Sequence, residues 1–542
     1  MLLKKDESPL YKVILSMLGY VLMMLGVIIL LPLALLVIYP EDRHVAHEFI
    51  LPGVLTVFAG YFLTFCTRGH RVTKLERNEG SLLVLIIWLV SCFVGAWPFY
   101  LNGNYTFTEA LFESTSGFTT TGMTVTDVEN ASHLILFYRS ILHLFGGVGL
   151  ILILSAVLSN TYGMQLFSAE GHRDRLTPSL ANSARTILYI YFGLIVGGTV
   201  GYVLCGMAPF DAVNFSISAV STGGFATKAE SIGYYQSVPI DLITVVLMLA
   251  GGTNFMATLF LTKGRLKAFF DHTETRVTVV LMAVGIPVVT AMLMAEHIDA
   301  HILKALDDAL FQVVAVLTTT GLTTINDVWL TANFSTMPLI LLMLVGGNSG
   351  STAGGIKSIR AAIAWKNIQW NFQNMTDSKH VHRARELTQF GKRQTVSQKE
   401  IMQNDAYLVL YLFCMLASAF GFTLCGYDFR DAMFESVSIL STVGISIGVL
   451  HPGMSNATMW IAMVGMLVAR LEVFLIPMAI QGLVDNGRNF YEERRSEREY
   501  KNRVEKRRRN KQLAKIRARR EAEAKAKAEA AAAKEAETNE TD

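Results

Sequence analysis

The sequence predicts an all-α polytopic membrane protein: a four-fold pseudo-symmetric helix–pore loop–helix pore plus two N-terminal membrane helices. Three observations carry that reading. Of the 542 residues, 52% are hydrophobic and only 17% charged, well above and below soluble usage. One fifteen-residue pattern occurs four times in the same direction: EALFESTSGFTTTGM from Glu109, DAVNFSISAVSTGGF from Asp211, DALFQVVAVLTTTGL from Asp308 and DAMFESVSILSTVGI from Asp431. Lys and Arg gather in alternate loops between apolar runs, the pattern of a chain that crosses and recrosses a bilayer.

The apolar run 13–38 is too long, and too poorly followed by a small-residue cleavage site, for a signal peptide. It reads as a retained membrane helix. A second run, 50–66, ends in Arg68, Arg71, Lys74 and Arg77, which marks a cytoplasmic side; Lys4, Lys5 and Lys12 place the N-terminus there too. This hairpin is residues 1–79. Four units of membrane helix, re-entrant element and membrane helix follow, at 80–162, 163–264, 265–375 and 376–487, the last opening with a cytoplasmic loop. Their flanking helices are 81–101 with 133–159, 186–207 with 238–262, 277–296 with 337–368, and 405–425 with 459–483, which makes ten crossings. Between units lie Arg173, Arg175 and Arg185, then Lys263, Arg265 and Lys267, then Lys357, Arg360, Lys379, Arg383, Arg385, Lys392 and Arg393. All fall on the cytoplasmic side, so the re-entrant elements enter from outside and both termini are cytoplasmic.

Each re-entrant element starts at a carboxylate, Glu109, Asp211, Asp308 or Asp431, and reaches a glycine thirteen positions on: Gly122, Gly224, Gly321 and Gly444. The ungapped alignment puts Gly223 where the other copies hold Thr121, Thr320 and Val443. The acids are expected to cap free N–H groups at the positive end of a short helix. About ten helical residues span roughly 15 Å, half of a hydrocarbon core of about 30 Å, so such a helix stops midway. The glycine lets the backbone turn, and a row of carbonyls there can replace an ion's hydration shell. Four such rows around one axis read as a cation selectivity filter. Small residues that merely let helices pack closely account for one segment, not for a fourfold repeat of acid, helix and glycine.

The last segment of the third unit is interrupted by GGNSGSTAGGIK, residues 346–357. Backbone this irregular survives at membrane depth where it lines a cavity, so Gly346, Gly347, Asn348, Ser349, Gly350, Ser351, Thr352, Gly354 and Gly355 form a candidate gate; a small-residue packing seam is the alternative. The second helices align through HLFGG (143–147), MLAGG (248–252), MLVGG (343–347) and MLVAR (466–470), so Arg470 replaces the second glycine of its counterparts. An Arg in an apolar span needs a wet cavity or a partner. That places it in the cytoplasmic half of the pore near 346–357, with an ion pair to Glu472 or snorkelling to the interface as alternatives. The five cysteines form no CxxC or Cys/His cluster, so neither a disulfide framework nor a metal site is indicated. Residues 488–520 hold fifteen Lys/Arg against five Asp/Glu, and 521–542 are Ala/Glu/Lys-rich with the sign reversed. This tail, 488–542, reads as a cytoplasmic helix or a disordered segment; no aromatic stacking platform accompanies the charges, and no nucleic acid partner is expected.

The motifs TTTGM, STGGF, TTTGL and STVGI, the GGNSGSTAGGIK segment and Arg470 resemble the Trk/Ktr/HKT superfamily of potassium transporters, with the two extra N-terminal helices and the Arg most like its bacterial TrkH branch. The resemblance covers residues 10–485 and leaves the tail unassigned. It implies a pseudo-tetrameric pore in the inner membrane that carries K⁺ inward without a bound cofactor, assembles as a homodimer, and docks a cytoplasmic ring of TrkA-type nucleotide-binding subunits that regulate gating. It also implies that K⁺ is held by filter residues Thr120, Thr121 and Gly122; Thr222, Gly223 and Gly224; Thr319, Thr320 and Gly321; and Thr442, Val443 and Gly444. In that family a Ser at the first such glycine goes with Na⁺ permeation.

Two other function classes are weaker. A symporter driven by H⁺ or Na⁺ through alternating access usually shows inverted repeats and membrane-buried carboxylates; here the repeats run in one direction and the acids cluster at pore-helix starts, Glu472 apart. An enzyme needs a nucleophile–base set or a phosphate loop. The 346–357 segment lacks the Gly-Lys-Ser/Thr ending and follows an apolar run instead of a soluble strand.

Overall fold

The computed structural model describes residues 10–68, 77–150, 180–296, 298, 301–325, 336–376 and 384–539. Lys4, Lys5, Arg71, Lys74, Arg173, Arg175, Lys379 and Arg383, used above to orient the chain, lie outside these residues, as does the 151–159 end of the first unit's second helix. Residues 1–479 make one unit and 480–542 another.

The first apolar run is a helix, Leu10–Leu30, that tightens into a 3₁₀ turn at Leu31–Val37, and its partner is His47–Cys66. Their backbones approach at Gly19 with Gly60 and at Gly26 with Gly53, where a side chain would strike the opposite carbonyl. Among the described residues six helices are long and apolar enough to cross a bilayer, and two more spans are bent pairs. The remaining two of the ten predicted crossings correspond to His133–Val148 and to Thr336–Val345 with Ser358–Thr376. Phe58, Phe192, Val284 and Val409 are exposed on these helices, as on a surface that lipid covers.

Four short helices sit among them: Phe107–Thr119, Pro209–Val220, Ile302–Leu317 and Phe429–Leu440. At 1.5 Å per residue they reach roughly 18–24 Å, still short of a full crossing. The first begins in a capping box between Thr106 and Glu109, as the sequence predicts for that acid. Asp211 and Asp431 also lie in the first turn, at the positive end of their helices, the Asp431 carboxylate meeting the Arg430 guanidinium; Asp308 departs from the prediction, nearly two turns inside a helix that begins at Ile302. The carboxylates of Asp211 and Asp308 turn to the chain beyond the glycine, as described below.

The second helices also differ from expectation. Only the third was predicted to be interrupted, yet all four break at the aligned place. Helix 133–148 ends at Gly149 with φ 93°; Val238–Gly252 and Phe255–Thr262 meet at 117°; Asn456–Arg470 and the following helix meet at 90°, where Glu472 has φ 54°. In the first two units the glycine pair packs closely: a Cβ on Gly146 would strike the Phe118 carbonyl, and one on Gly251 the Val220 carbonyl, so these two pore helices end directly against their own unit's second helix. Asn254 then restarts the second unit's helix by capping the Met256 N–H at 2.8 Å.

The loop between the third and fourth units holds a two-stranded antiparallel hairpin, Glu386–Gln389 with Lys392–Thr395, which the all-helical reading lacks. Its turn residues Phe390 and Gly391 have φ of 50° and 74°, the left-handed pair that a two-residue hairpin needs. The tail takes the helical of its two predicted forms: the helix Leu475–Asn539 runs through it, where Ala, Glu, Lys and Arg all favour helix.

Candidate functional site: four glycines around one axis

After each short helix the chain makes the same turn. Thr120, Thr222, Thr319 and Thr442 are left-handed, with φ of 55°, 52°, 55° and 53°. The next N–H closes the helix end: Thr121 to Ser116 O at 3.0 Å, Gly223 to Ser218 O at 2.9 Å, Thr320 to Ala315 O at 2.8 Å and Val443 to Ser438 O at 2.8 Å. This is a helix-ending motif in which the left-handed place usually falls to Gly or Asn. A β-branched residue there is strained by about 1–3 kcal/mol. Its recurrence in four copies marks a constraint beyond helix termination. Gly122, Gly224, Gly321 and Gly444 follow with φ of 84°, 87°, 75° and 85°, so the sign of φ alternates along each strand.

The four strands close on one another. A Cβ on Gly122 would strike the Gly223 carbonyl oxygen; on Gly224, that of Thr320; on Gly321, that of Val443; and on Gly444, that of Thr121. First meets second, second meets third, third meets fourth, and fourth meets first. The residues 121–122, 223–224, 320–321 and 443–444 therefore meet in one ring, each pair following its left-handed Thr, and the ring's glycines are required twice over, by their left-handed φ and by the neighbouring carbonyl.

Behind the ring, buried carboxylates hold the strands beyond the glycines. Glu113 accepts from the Thr124 hydroxyl, the Val125 N–H at 2.8 Å and the Thr126 N–H at 2.9 Å. Glu435 accepts from the Ser446 hydroxyl and the Ile447 N–H at 3.0 Å. In the middle copies Asp211 holds Thr227 and Tyr235 at 2.6 and 2.7 Å, and Asp308 holds Thr324 at 2.6 Å.

The 346–357 stretch lies under the ring. Thr352, fully buried, places its hydroxyl 3.0 Å from Gly251 O, 3.2 Å from Val220 O and 3.1 Å from the Thr222 hydroxyl. Gly354 N–H donates to the Thr319 hydroxyl at 2.8 Å, and a Cβ there would strike Thr442 Oγ1 and Ser441 O. The rest is pinned to the second unit's break and to the Thr273–Ala295 helix. Asn348 N–H donates to Gly252 O at 3.0 Å and Ser349 N–H to Glu274 at 2.8 Å, while Gly350 O accepts from Phe255 N–H at 3.1 Å. Ser351 bonds Asn348 O at 2.6 Å, Ser358 bonds the Gly346 and Gly347 carbonyls, and Gly355 packs on Gly346. Arg470 reaches the same stretch: its guanidinium donates to Thr352 O at 3.4 Å and to the carbonyls of Gly146 and Gly147. Those carbonyls are the negative end of the first unit's second helix. Glu472 pairs with Arg360 at 2.6 Å.

The family model TrkH, described as a cation transport protein, matches residues 45–494. The Trk system potassium uptake protein TrkH of Vibrio parahaemolyticus is 31% identical over 492 residues, covering 86% of this chain and 97% of that protein. Its namesake in Escherichia coli is 31% identical over 416 residues, covering 74% and 85%. The chain belongs to the TrkH family. The crystal structure of the potassium transporter TrkH from Vibrio parahaemolyticus matches with a TM-score of 0.77 at 28% identity, covering 86% of this chain and 98% of that one. This TrkH-family chain is thus a multi-pass membrane protein with the fold of a helical transporter.

Sequence reasoning missed the carboxylates that hold the strands. Glu113 and Glu435 were visible as Phe-Glu-Ser, shared by the first and fourth copies alone. It also missed Asn254 and Glu274, which anchor the 346–357 stretch from segments distant in the chain.

Proposed function

We propose that this chain carries K⁺ into a bacterial cell through a selective pore, with the filter at Thr120–Gly122, Thr222–Gly224, Thr319–Gly321 and Thr442–Gly444 and a gate made by residues 346–357 with Arg470. The observation that carries the reading is the closed ring in which each glycine leaves room for the next copy's carbonyl. Four strands of carbonyls brought this close offer an ion a replacement for water. The relatives named potassium uptake proteins support K⁺ as the ion. Thr352 directly beneath the second strand, bonded on one side to Thr222 and on the other to Arg470, supports a closed state in which loop and guanidinium obstruct the path together.

Orientation in the inner membrane with both termini inside rests on the basic loops, among them Lys263, Arg265, Lys267, Lys392 and Arg393. Assembly as a homodimer in the bilayer rests on the family resemblance. Regulation by a separate TrkA-type nucleotide-binding subunit rests on the resemblance and on basic loops 263–276 and 357–393. These loops meet where Thr273 bonds Thr388 O at 2.8 Å and His272 stacks on Phe390 at 4.5 Å.

The test is ion-replacement flux in proteoliposomes with Gly122→Ser. The new Cβ meets a φ of 84° and the Gly223 carbonyl, so the K⁺/Na⁺ ratio is expected to fall. An unchanged ratio overturns the filter assignment. Wild-type K⁺ uptake that persists without Na⁺ and with a proton ionophore supports a passive path; uptake abolished by either would establish coupling.

A further inference from the structure

One seam of the ring differs from the other three. On the first unit's second helix, Arg139 and His143 are one turn apart, and both lie against Phe225, which follows Gly224. The Arg139 guanidinium carbon is 4.0 Å from the ring centroid, and the His143 ring stacks on it at 4.1 Å and 15°. All three side chains are at most 2% exposed. Arg139 also bonds Ala226 O at 3.2 Å and lies 3.6 Å from Glu113, whose other oxygen holds the first strand. The first and second strands are therefore tied together across this seam.

His143 also explains the glycine that sets the second strand apart. A Cβ on Gly223 would land in the His143 imidazole. At the positions aligned with His143 the other helices carry Met248, Met343 and Met466, and at the positions aligned with Gly223 the strands carry Thr121, Thr320 and Val443. Where the helix holds a flat ring, the strand has lost its side chain. Among the described residues neither buried His143 nitrogen has a hydrogen-bond partner, which is costly; a Met would avoid that cost, so what the ring supplies here is its shape and stacking.

We propose that His143, held on Phe225 beside Arg139, is a positioning residue for ion discrimination: it seats Gly223 so that its carbonyl stands against Gly122, and thereby sets the preference for K⁺ over Na⁺. The proposal rests on the filter reading above. Selectivity depends on the number and placement of carbonyls around the ion, so a loosened Gly223 degrades one quarter of that ring while leaving the path intact.

The experiment is a double-mutant cycle in proteoliposomes, with K⁺ and Na⁺ flux measured for His143→Met, Gly223→Thr and the pair together. His143→Met is expected to lower the K⁺/Na⁺ ratio about tenfold while K⁺ flux continues. Gly223→Thr, which drives a side chain into the imidazole, is expected to lose the ratio and much of the folded yield. The pair recreates the Met and Thr combination of the fourth-to-first seam, Met466 with Thr121, and is expected to recover both, a strongly non-additive result. If Gly223→Thr cannot be recovered folded, His143→Met alone decides: an unchanged ratio overturns the proposal. A pair no better than Gly223→Thr overturns it as well. Should Gly122→Ser and Gly223→Thr both leave the ratio unchanged, the filter reading itself fails; should they lower it while His143→Met does not, only the role of His143 fails.

Discussion

Thr352 offers the sharpest test of the gate. Its hydroxyl has one proton, which goes to Gly251 O at 3.0 Å or Val220 O at 3.2 Å, and it accepts from Thr222, whose own proton is shared with Ser221 O at 2.7 Å. Thr352→Val keeps the branched shape and removes these bonds. The backbone contacts to Gly251 and Arg470 stay. At about 0.5–1.5 kcal/mol net per bond, with one bond made fully and one in part, the loop's seat under the filter is weakened by roughly 1–2 kcal/mol. If the displaced loop does not use this hydroxyl, the closed-to-open equilibrium moves by the same amount, which is about five- to thirtyfold at 1.4 kcal/mol per decade. Where the closed state dominates, flux follows the open fraction. The assay is K⁺ flux into proteoliposomes holding the isolated chain, with the K⁺/Na⁺ ratio as an internal control. That ratio should hold, because Thr222 keeps its bond to Ser221. Flux equal to wild type from folded Thr352→Val protein would refute the closed-loop argument.

Arg470→Ala removes a fixed charge beside the loop. A cation passing roughly 4 Å from the guanidinium meets about 4 kcal/mol of repulsion at an effective dielectric of about 20, so basal flux should rise by up to about a thousandfold without a change in K⁺/Na⁺ ratio. Deletion of 350–353, which takes out Thr352 and the anchor at Gly350 O, should raise basal flux in the same assay; if neither variant exceeds wild type while remaining folded, the gate does not exist as described. Pull-down from native membranes followed by mass spectrometry should recover a soluble nucleotide-binding protein. Replacing the 386–395 hairpin by a short Gly/Ser linker should abolish that recovery, and full regulated flux from the chain alone would rule the subunit out.

The architecture was legible because it is repeated: one acid-to-glycine spacing of thirteen residues in four copies averages away the accidents of each. What escaped was long-range. A carboxylate near a helix start looks like a cap, and Glu109 is one. The bonds from Asp211 to Thr227 and Tyr235, and from Asp308 to Thr324, depend on where the chain returns after the glycine, which helix-terminus chemistry cannot foresee. The breaks in the first, second and fourth units' second helices were hidden because apolar residues continue through them, as in Phe255–Thr262 after Gly252. Only the third unit, with its run of Gly, Ser and Thr, announced its break.

The departures from symmetry are the most informative residues, because each is answered on a neighbouring unit. Gly147 backs onto Ser221 and Gly252 onto Thr318, so at these two seams the second glycine of one helix lets the next unit's pore helix end against it. Arg470 occupies that place in the fourth unit, and its guanidinium reaches across to the carbonyls of Gly146 and Gly147 in the first. A large cation thus takes the place of a close backbone contact. Gly223 stands where its counterparts carry side chains, and the His143 ring of the preceding unit fills the space. Both exceptions involve the first unit's second helix, once at residues 139–143 beside the ring and once at its C-terminal carbonyls. A displacement of that helix would disturb the contacts of Gly223 and of Arg470 together, so on the proposed reading of filter and gate a change there is expected to alter selectivity and basal flux at once.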